Sequence, residues 1–349
     1  GRLERAAFFI GKSPWTRVIF PSEIRLPPYT YVIFPPKAAV FPLTHNCHKP
    51  FMTVMLQKYD TPRALSLLAL AAASGAILAL PATAEAACSL DDGYADGLVS
   101  YVAEVDSCLE AASQFEAGAE TALFDATNAT RSEAGIGKLN RRASLDRAAR
   151  AHALDMAARG YAGHDDLEGR GHIYRMRALD RQVLASATGA NVAVLDANAS
   201  PAEIYDAITA DSANRQNLVH EGFTDTGLGI AEADGRLYVV QMLTTVDGEL
   251  ETPLPLEIAG ATSFTPRVNQ DYFRTAGWNL TDGAGNRLAG GTLMRMHDAA
   301  FDRDNTGYLD GLVELATDTY VLTGPMVARR SGRCQPSTGQ ARALRGRPV

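Results

Sequence analysis

Apolar positions repeat with a helical period in the first half of this chain and with a strand period in the second. Asp91 to Gln114 puts Leu98, Val102, Val105 and Leu109 on one stripe, which predicts a helix. After a break at Gly118, a second helix is expected over Ala119 to Glu133, turning Leu123 and Phe124 inward and ending near Gly135. A third starts at Ser144 as N-cap, carries Asp146 in its first turn and stops at Gly160. Ser200-Pro201-Ala202-Glu203 is the clearest start signal, because Ser caps, Pro suits the first helical position and Glu203 closes a capping box. Beyond Asn217 the period becomes that of strands. Gly227–Ala233 and Arg236–Thr244 flank Asp234-Gly235, a two-residue hairpin turn. Helices followed by a hairpin with nearly continuous apolar strands imply a sheet covered by helices.

Pro253-Leu254-Pro255 marks a linker. From Phe264 to Ala328 short apolar runs alternate with Gly- and Asp-rich turns, which predicts a small β-rich domain at 258–330. The tail 331–349 is Arg-, Gly-, Ser- and Pro-rich and reads as a disordered end.

Composition changes the picture at the N-terminus. Residues 1–54 are rich in Pro and aromatics without sustained periodicity, and lysine use is concentrated at Lys12, Lys37, Lys49 and Lys58, with only Lys138 later. This reads as translated sequence upstream of a start at Met52 or Met55; a genuine disordered extension is the alternative. Residues 55–87 read as a secretory signal, with Lys58 and Arg63 before an apolar run, Ala64 to Leu80, and small-residue cleavage sites around Ala82 to Ala86. A secreted or periplasmic protein with no stable membrane span after cleavage is the expectation. The Lys-poor, Ala- and Arg-rich composition points to a bacterial source, where the sequons at Asn128, Asn198 and Asn279 carry no glycan. A net charge of −7 and the absence of a basic stripe exclude nucleic acid as a partner. With Cys47 in the leader, Cys88, Cys108 and Cys334 allow one disulfide, Cys88–Cys108 being the simplest and Cys334 with either the competitor.

One stretch carries a family pattern. His152 and Asp155-Met156-Ala157 lie on the third helix, His164 follows the Gly160 stop, and then come Gly189-Ala190-Asn191 and Asn214-Arg215-Gln216-Asn217. Order and spacing resemble the bacterial secreted branch of the CAP superfamily, the SCP-like extracellular domains. The resemblance implies an α–β–α sandwich over 119–247; the helical segment at 88–118 and the small β-rich C-terminal domain that flank it rest on periodicity alone. It also implies that His164, Ala190, Asp211 and Asn214 occupy cavity positions. There the family usually reads Gly-Glu-Asn where this chain has Gly189-Ala190-Asn191, and His-Arg-x-Asn where it has Asn214 to Asn217. Alanine neither ligates nor accepts a proton, and asparagine does not titrate. The same resemblance implies that His152 packs in the core.

The expected function is therefore an exported binding or envelope-associated module with a degenerate cavity, whose partner is a lipid, cell-wall or envelope component. The alternative is a metal-dependent hydrolase in which His164, Asp211 and His220 complete a zinc site; catalytic zinc sites usually supply three protein ligands. His172 and His220 are the candidates to replace the missing group, and His220, outside the matched motif, otherwise reads as a surface-loop residue. A separate divalent-cation reading rests on Asp302, Asp304 and Thr306, which with Gly307 imitate the start of a calcium loop, although Val313 stands where the bidentate Glu belongs. No Gly-x-Ser-x-Gly elbow, phosphate loop or dinucleotide fingerprint occurs.

Overall fold

The computed structural model describes residues 88–301 and 306–330, all within one compact unit. The leader, the signal segment, the tail, Cys47, Cys334, Asp302 and Asp304 lie outside the described residues. The helices are α1 (Leu98–Ala111), α2 (Ala117–Glu133), α3 (Ala143–Arg159), α4 (His172–Leu179), α5 (Pro201–Ala210) and α6 (Ser212–Leu218). The first strands are β1 (Asn140–Arg141), β2 (Val183–Asp196), β3 (Asp225–Ala233) and β4 (Arg236–Leu250). They lie in the order β1-β3-β4-β2, antiparallel except for β1 on β3.

Alternation along β3 and β4 builds the two helix layers. Ala231, Tyr238, Val240 and Met242 join α3 and α1 in one apolar cluster. Leu228, Ile230, Leu237 and Val239 join Leu123 of α2, Ile204 and Ile208 of α5 and Leu218 of α6 in another. The α–β–α sandwich follows from this period of two against helices on both faces. The Asp234-Gly235 turn forms with both φ values positive, as its hairpin requires.

The α3 helix sits unusually near the sheet. A Cβ added at Gly227 would lie 2.0 Å from the Leu145 backbone, and one at Gly229 would lie 2.3 Å from the Arg150 backbone nitrogen. The helix meets these glycines with the backbone of Leu145, Asp146, Ala149 and Arg150, and its Ala148, Ala149, Ala151 and Ala153 are all buried. Small residues on both partners let backbone approach backbone, and dispersion at that separation is correspondingly strong.

The chain-terminal strands are β5 (Glu257–Ile258), β6 (Ala261–Ser263), β7 (Pro266–Val268), β8 (Arg274–Thr281), β9 (Arg287–Gly291), β10 (Arg295–His297), β11 (Thr306–Leu315) and β12 (Asp318–Arg329). They have their own apolar cluster around Trp278, Leu280, Leu309 and Leu322. They also extend the first sheet: β12 bonds β2 at Thr323 and Ala185, and β7 bonds β4. The β-rich region is thus continuous with the sandwich sheet, and β6 and β10 form a separate two-stranded ribbon.

Three details differ from the sequence reading. The first helix is shorter than Asp91–Gln114. Ser144 is not a cap: Arg142 holds that position, and the Ser144 hydroxyl donates to Asp180 at 2.6 Å instead. Strand β2 and helices α4 and α6 carry no clean period and lie outside the sequence expectation, β2 because it mixes small residues with the buried Asn191. Cys88 and Cys108 are disulfide-bonded.

Gly229→Ala is expected to lower stability by about 3 kcal/mol, because the α3 backbone cannot retreat from the added carbon. Gly118→Ala, on the open surface of α2 with nothing near the added Cβ, should instead stabilise by up to about 1 kcal/mol. Denaturant melts of the two variants check the difference; equal effects would contradict the close approach.

Candidate functional site

The sequence-predicted positions fall into two groups. His164 lies in the exposed loop after α3, where Gly160 closes the helix with φ of 65°. Its main-chain carbonyl accepts from Arg175 of α4. Arg175 also donates to the Arg170 carbonyl at 2.6 Å, and its Nε has no partner. His152, buried on α3, contacts the Gly163 carbonyl through Nε2 at 2.8 Å, while its Nδ1 is unpartnered. His172 opens α4 beside them. Burial, with the Arg175 guanidinium next, pushes the His152 imidazole down to about 3 and the His172 imidazole to about 4. Both rings are neutral near pH 7, and only His164 faces solvent.

The second group lies on β2 and α6. Ala190 is buried on β2. Asp211 caps α6, its Oδ1 accepting from Ala213 N at 2.8 Å and Asn214 N at 2.9 Å. Asn214 and Asn217 donate from Nδ2 to the carbonyls of Val192 and Ala190, each at 3.3 Å. Among the described residues, the only strand neighbour of β2 beyond Ala185 is β4, so these amides satisfy carbonyls on an edge without a strand partner. Asn217 also donates to Asn191 Oδ1 at 2.9 Å, Asn191 to Gln241 at 3.0 Å and Gln241 to Thr127 of α2 at 3.2 Å. A buried amide chain therefore runs from α6 through β2 and β4 to α2. Asn191, Gln241 and Thr127 are fully buried, so each hydrogen bond removes a desolvation cost.

Among the described residues no hydrogen bond or ion pair joins His164 to Ala190, Asp211 or Asn214. His220 is exposed; its Nδ1 accepts from Gly222 N at 3.2 Å, and its ring lies 4.6 Å from that of Phe223. Thr306 opens β11 opposite Ala328, in a regular ladder. As a zinc donor set the family positions offer one imidazole and one carboxylate that is engaged as a helix cap. That set does not fit a three-ligand catalytic site.

Sequence reasoning missed the charged residues that shape the loop. Asp155, Asp166 and Glu168 bring carboxylate oxygens within 4.8 Å of one another. Arg159 bonds Asp155 at 2.6 Å and Glu168 at 2.6 Å, and Arg170 bonds Asp166 at 2.7 Å, so two guanidinium groups hold the cluster. Arg170 also reaches the carbonyls of Tyr94 and Ala95 and lies 5.0 Å from the Tyr101 ring, fastening the N-terminal segment to the loop. Arg131, fully buried, donates to the carbonyls of Gly137, Leu218, His220 and Phe223 and so fixes the turn after α6. The signal available was the Asp155/Arg159 and Asp166/Arg170 spacing of four, which by itself is common on helix surfaces.

Residues 124–243 match the model of the CAP family, the cysteine-rich secretory protein family. Among solved structures the chain is similar to an outer surface protein from Borrelia burgdorferi, at 14% identity over 37% of this chain and 94% of that one, with a TM-score of 0.34. It is also similar to an extracellular protein containing a SCP domain from Bacillus anthracis, at 25% identity over 36% of this chain and 40% of that one, with a TM-score of 0.31. No curated protein matches the chain. No helix among the described residues is long and apolar enough to cross a membrane.

The two depressed imidazoles carry a pH dependence of known sign. Their pKa in the unfolded chain is about 6.5, so the unfolded state takes up protons first as pH falls. Stability from keeping them neutral is fully present above that value and drains away down to about 4 for His172 and about 3 for His152. In NMR titrations the ring protons of His152 and His172 should stay at neutral shifts at pH 5. Titration of either ring near pH 6.5 would contradict the burial described.

Proposed function

From a chain whose residues 124–243 carry a CAP domain, we propose an exported binding or envelope-associated module that performs no metal-assisted hydrolysis. The observation that carries this reading is the use made of the cavity positions. Ala190 has no polar group, Asp211 is committed to capping α6, and Asn214 is committed to the β2 edge. Of these positions only His164 keeps an exposed imidazole, and the exposed Asp211 carboxylate is held in the α6 cap. A lone imidazole binds a first-row metal weakly and cannot both ligate and act as a base. The family resemblance, the signal-like segment at 55–87 and the disulfide support a location outside the cytoplasm. Its partner is a lipid, cell-wall or envelope component. Fold alone does not choose among these, because function resides in grafted sites.

The competing hydrolase would need His164, Asp211 and His220 to converge. His220 is turned into its own loop against Phe223, which favours the binding module. Elemental analysis of the purified protein is expected to find no stoichiometric zinc. One zinc per chain, lost in His164→Ala, would overturn the reading.

A further inference from the structure

We propose that the groove between α4 and the C-terminal strands is a second binding site, independent of the family cavity, and that its ligand is a neutral sugar ring. The groove encloses about 290 Å³ between Ile173, Tyr174 and Arg177 on one side and Thr281, Asp282 and Tyr308 on the other. Ligand pockets start at about 300 Å³, so this one suits a single ring and not a long chain. It exists only because the β-rich region is built onto the sandwich sheet next to α4.

Its chemistry is that of a partly unsatisfied polar lining between aromatic walls. Arg177 is 8% exposed and lies 5.0 Å from the Tyr308 ring centroid. It donates to the Leu309 carbonyl at 2.8 Å and to Asp310 at 3.0 Å, while its Nε has no partner. Tyr174 and Tyr308 are both half-buried, and an edge contact with Tyr101 at 5.2 Å holds the Tyr174 ring in place. Asp282 accepts two backbone amides of its own turn through Oδ1, at 2.9 and 2.8 Å, and only Asn286 Nδ2 through Oδ2, at 2.9 Å. Oδ2 thus retains capacity for a further donor. The hydroxyls of Thr281 and Tyr308 make no hydrogen bond within the described residues, so donors and acceptors ring the groove in a small space.

Charge decides against an anion. The Arg177 guanidinium is already paired with Asp310, and the Asp282 carboxylate stands across the groove. A negatively charged ligand would meet a neutral pair and an uncompensated carboxylate. A saccharide instead offers an apolar C–H face for the tyrosines and a rim of hydroxyls that both donate and accept. Such groups pair with the Asp282 Oδ2, Thr281 and Tyr308 positions without bringing in charge, while Arg177, paired with Asp310, forms part of the wall. The exposed Ile173 at the rim adds apolar contact.

The test is a titration of the full chain with D-glucose, D-mannose and N-acetyl-D-glucosamine, followed by NMR, with D-glucuronate as the charged comparison. Saturable millimolar binding of at least one neutral monosaccharide is expected, weakened at least tenfold in Tyr308→Ala. Gly283→Gln provides a variant that keeps the fold, since a Cβ there would make only an ordinary 3.8 Å contact with Tyr308. Its longer side chain should fill the groove and abolish binding with an unchanged Tm. No saturable binding by the folded wild type, binding undiminished in Gly283→Gln, or tighter binding of glucuronate would each overturn the proposal. Stoichiometric zinc at His164 would overturn the binding-module reading while leaving this groove untouched.

Discussion

The seating of α3 on β3 is the constraint on which the rest of the structure depends. Gly227 and Gly229 remove the side chains that would otherwise hold the helix away, and the alanines of α3 remove those on the other partner. Once the helix is this close, Glu120 of α2 can accept from Arg150 of α3 at 2.6 Å and from Arg141 at 2.7 Å while fully buried. Its second oxygen takes the Ile230 amide at 3.3 Å. One buried carboxylate therefore ties together both helix layers and the strand between them. A buried charge left without such partners would cost several kcal/mol, so the pair of arginines and the close packing stand or fall together.

The position of α3 in turn sets where Gly160 ends it and where the loop carrying His164 leaves. That loop is stiffened by arginines and not by a metal-ligand set: Arg159 and Arg170 bridge its carboxylates, and Arg175 holds its main chain. On the other helix layer, the amide chain from Thr127 to Asn217 performs the matching task for α6 and the β2 edge. Polar residues in this domain are mostly spent on satisfying backbone and on joining elements. The family positions at Ala190, Asp211 and Asn214 follow that pattern, which is why the binding-module reading is preferred over hydrolysis.

Much of this was legible from residue pattern alone, for identifiable reasons. The capping box at Ser200, the stop at Gly160 and the turn at Asp234-Gly235 are local signals, and each forms as expected. Strand β2 and the short helices α4 and α6 are among the elements that escaped. Strand β2 mixes Ala, Thr, Gly and Asn because it packs against the short helices α4, α5 and α6 and carries Asn191 of the amide chain, so no simple alternation survives. Helix α4 is eight residues long and holds two arginines and a histidine, of which Arg175 and Arg177 are buried; an apolar stripe is absent. The joining of β12 to β2 rests on a single residue pair far apart in the chain, a contact no local period encodes. His164 was singled out by its place after a helix stop, and it lies in the exposed loop that follows Gly160. The roles of Arg131 and Arg170 depend on carbonyls distant in sequence and left no trace.

The central claim is that the asparagines matching the family pattern hold the scaffold together. A double-mutant cycle on Asn191→Ala and Asn217→Ala, read by denaturant unfolding, tests it most directly. Coupling of about 1 kcal/mol or more between the two is predicted, since each is the other's partner in a buried chain. Additive effects within about 0.5 kcal/mol, with each single substitution no worse than a surface change, would contradict it.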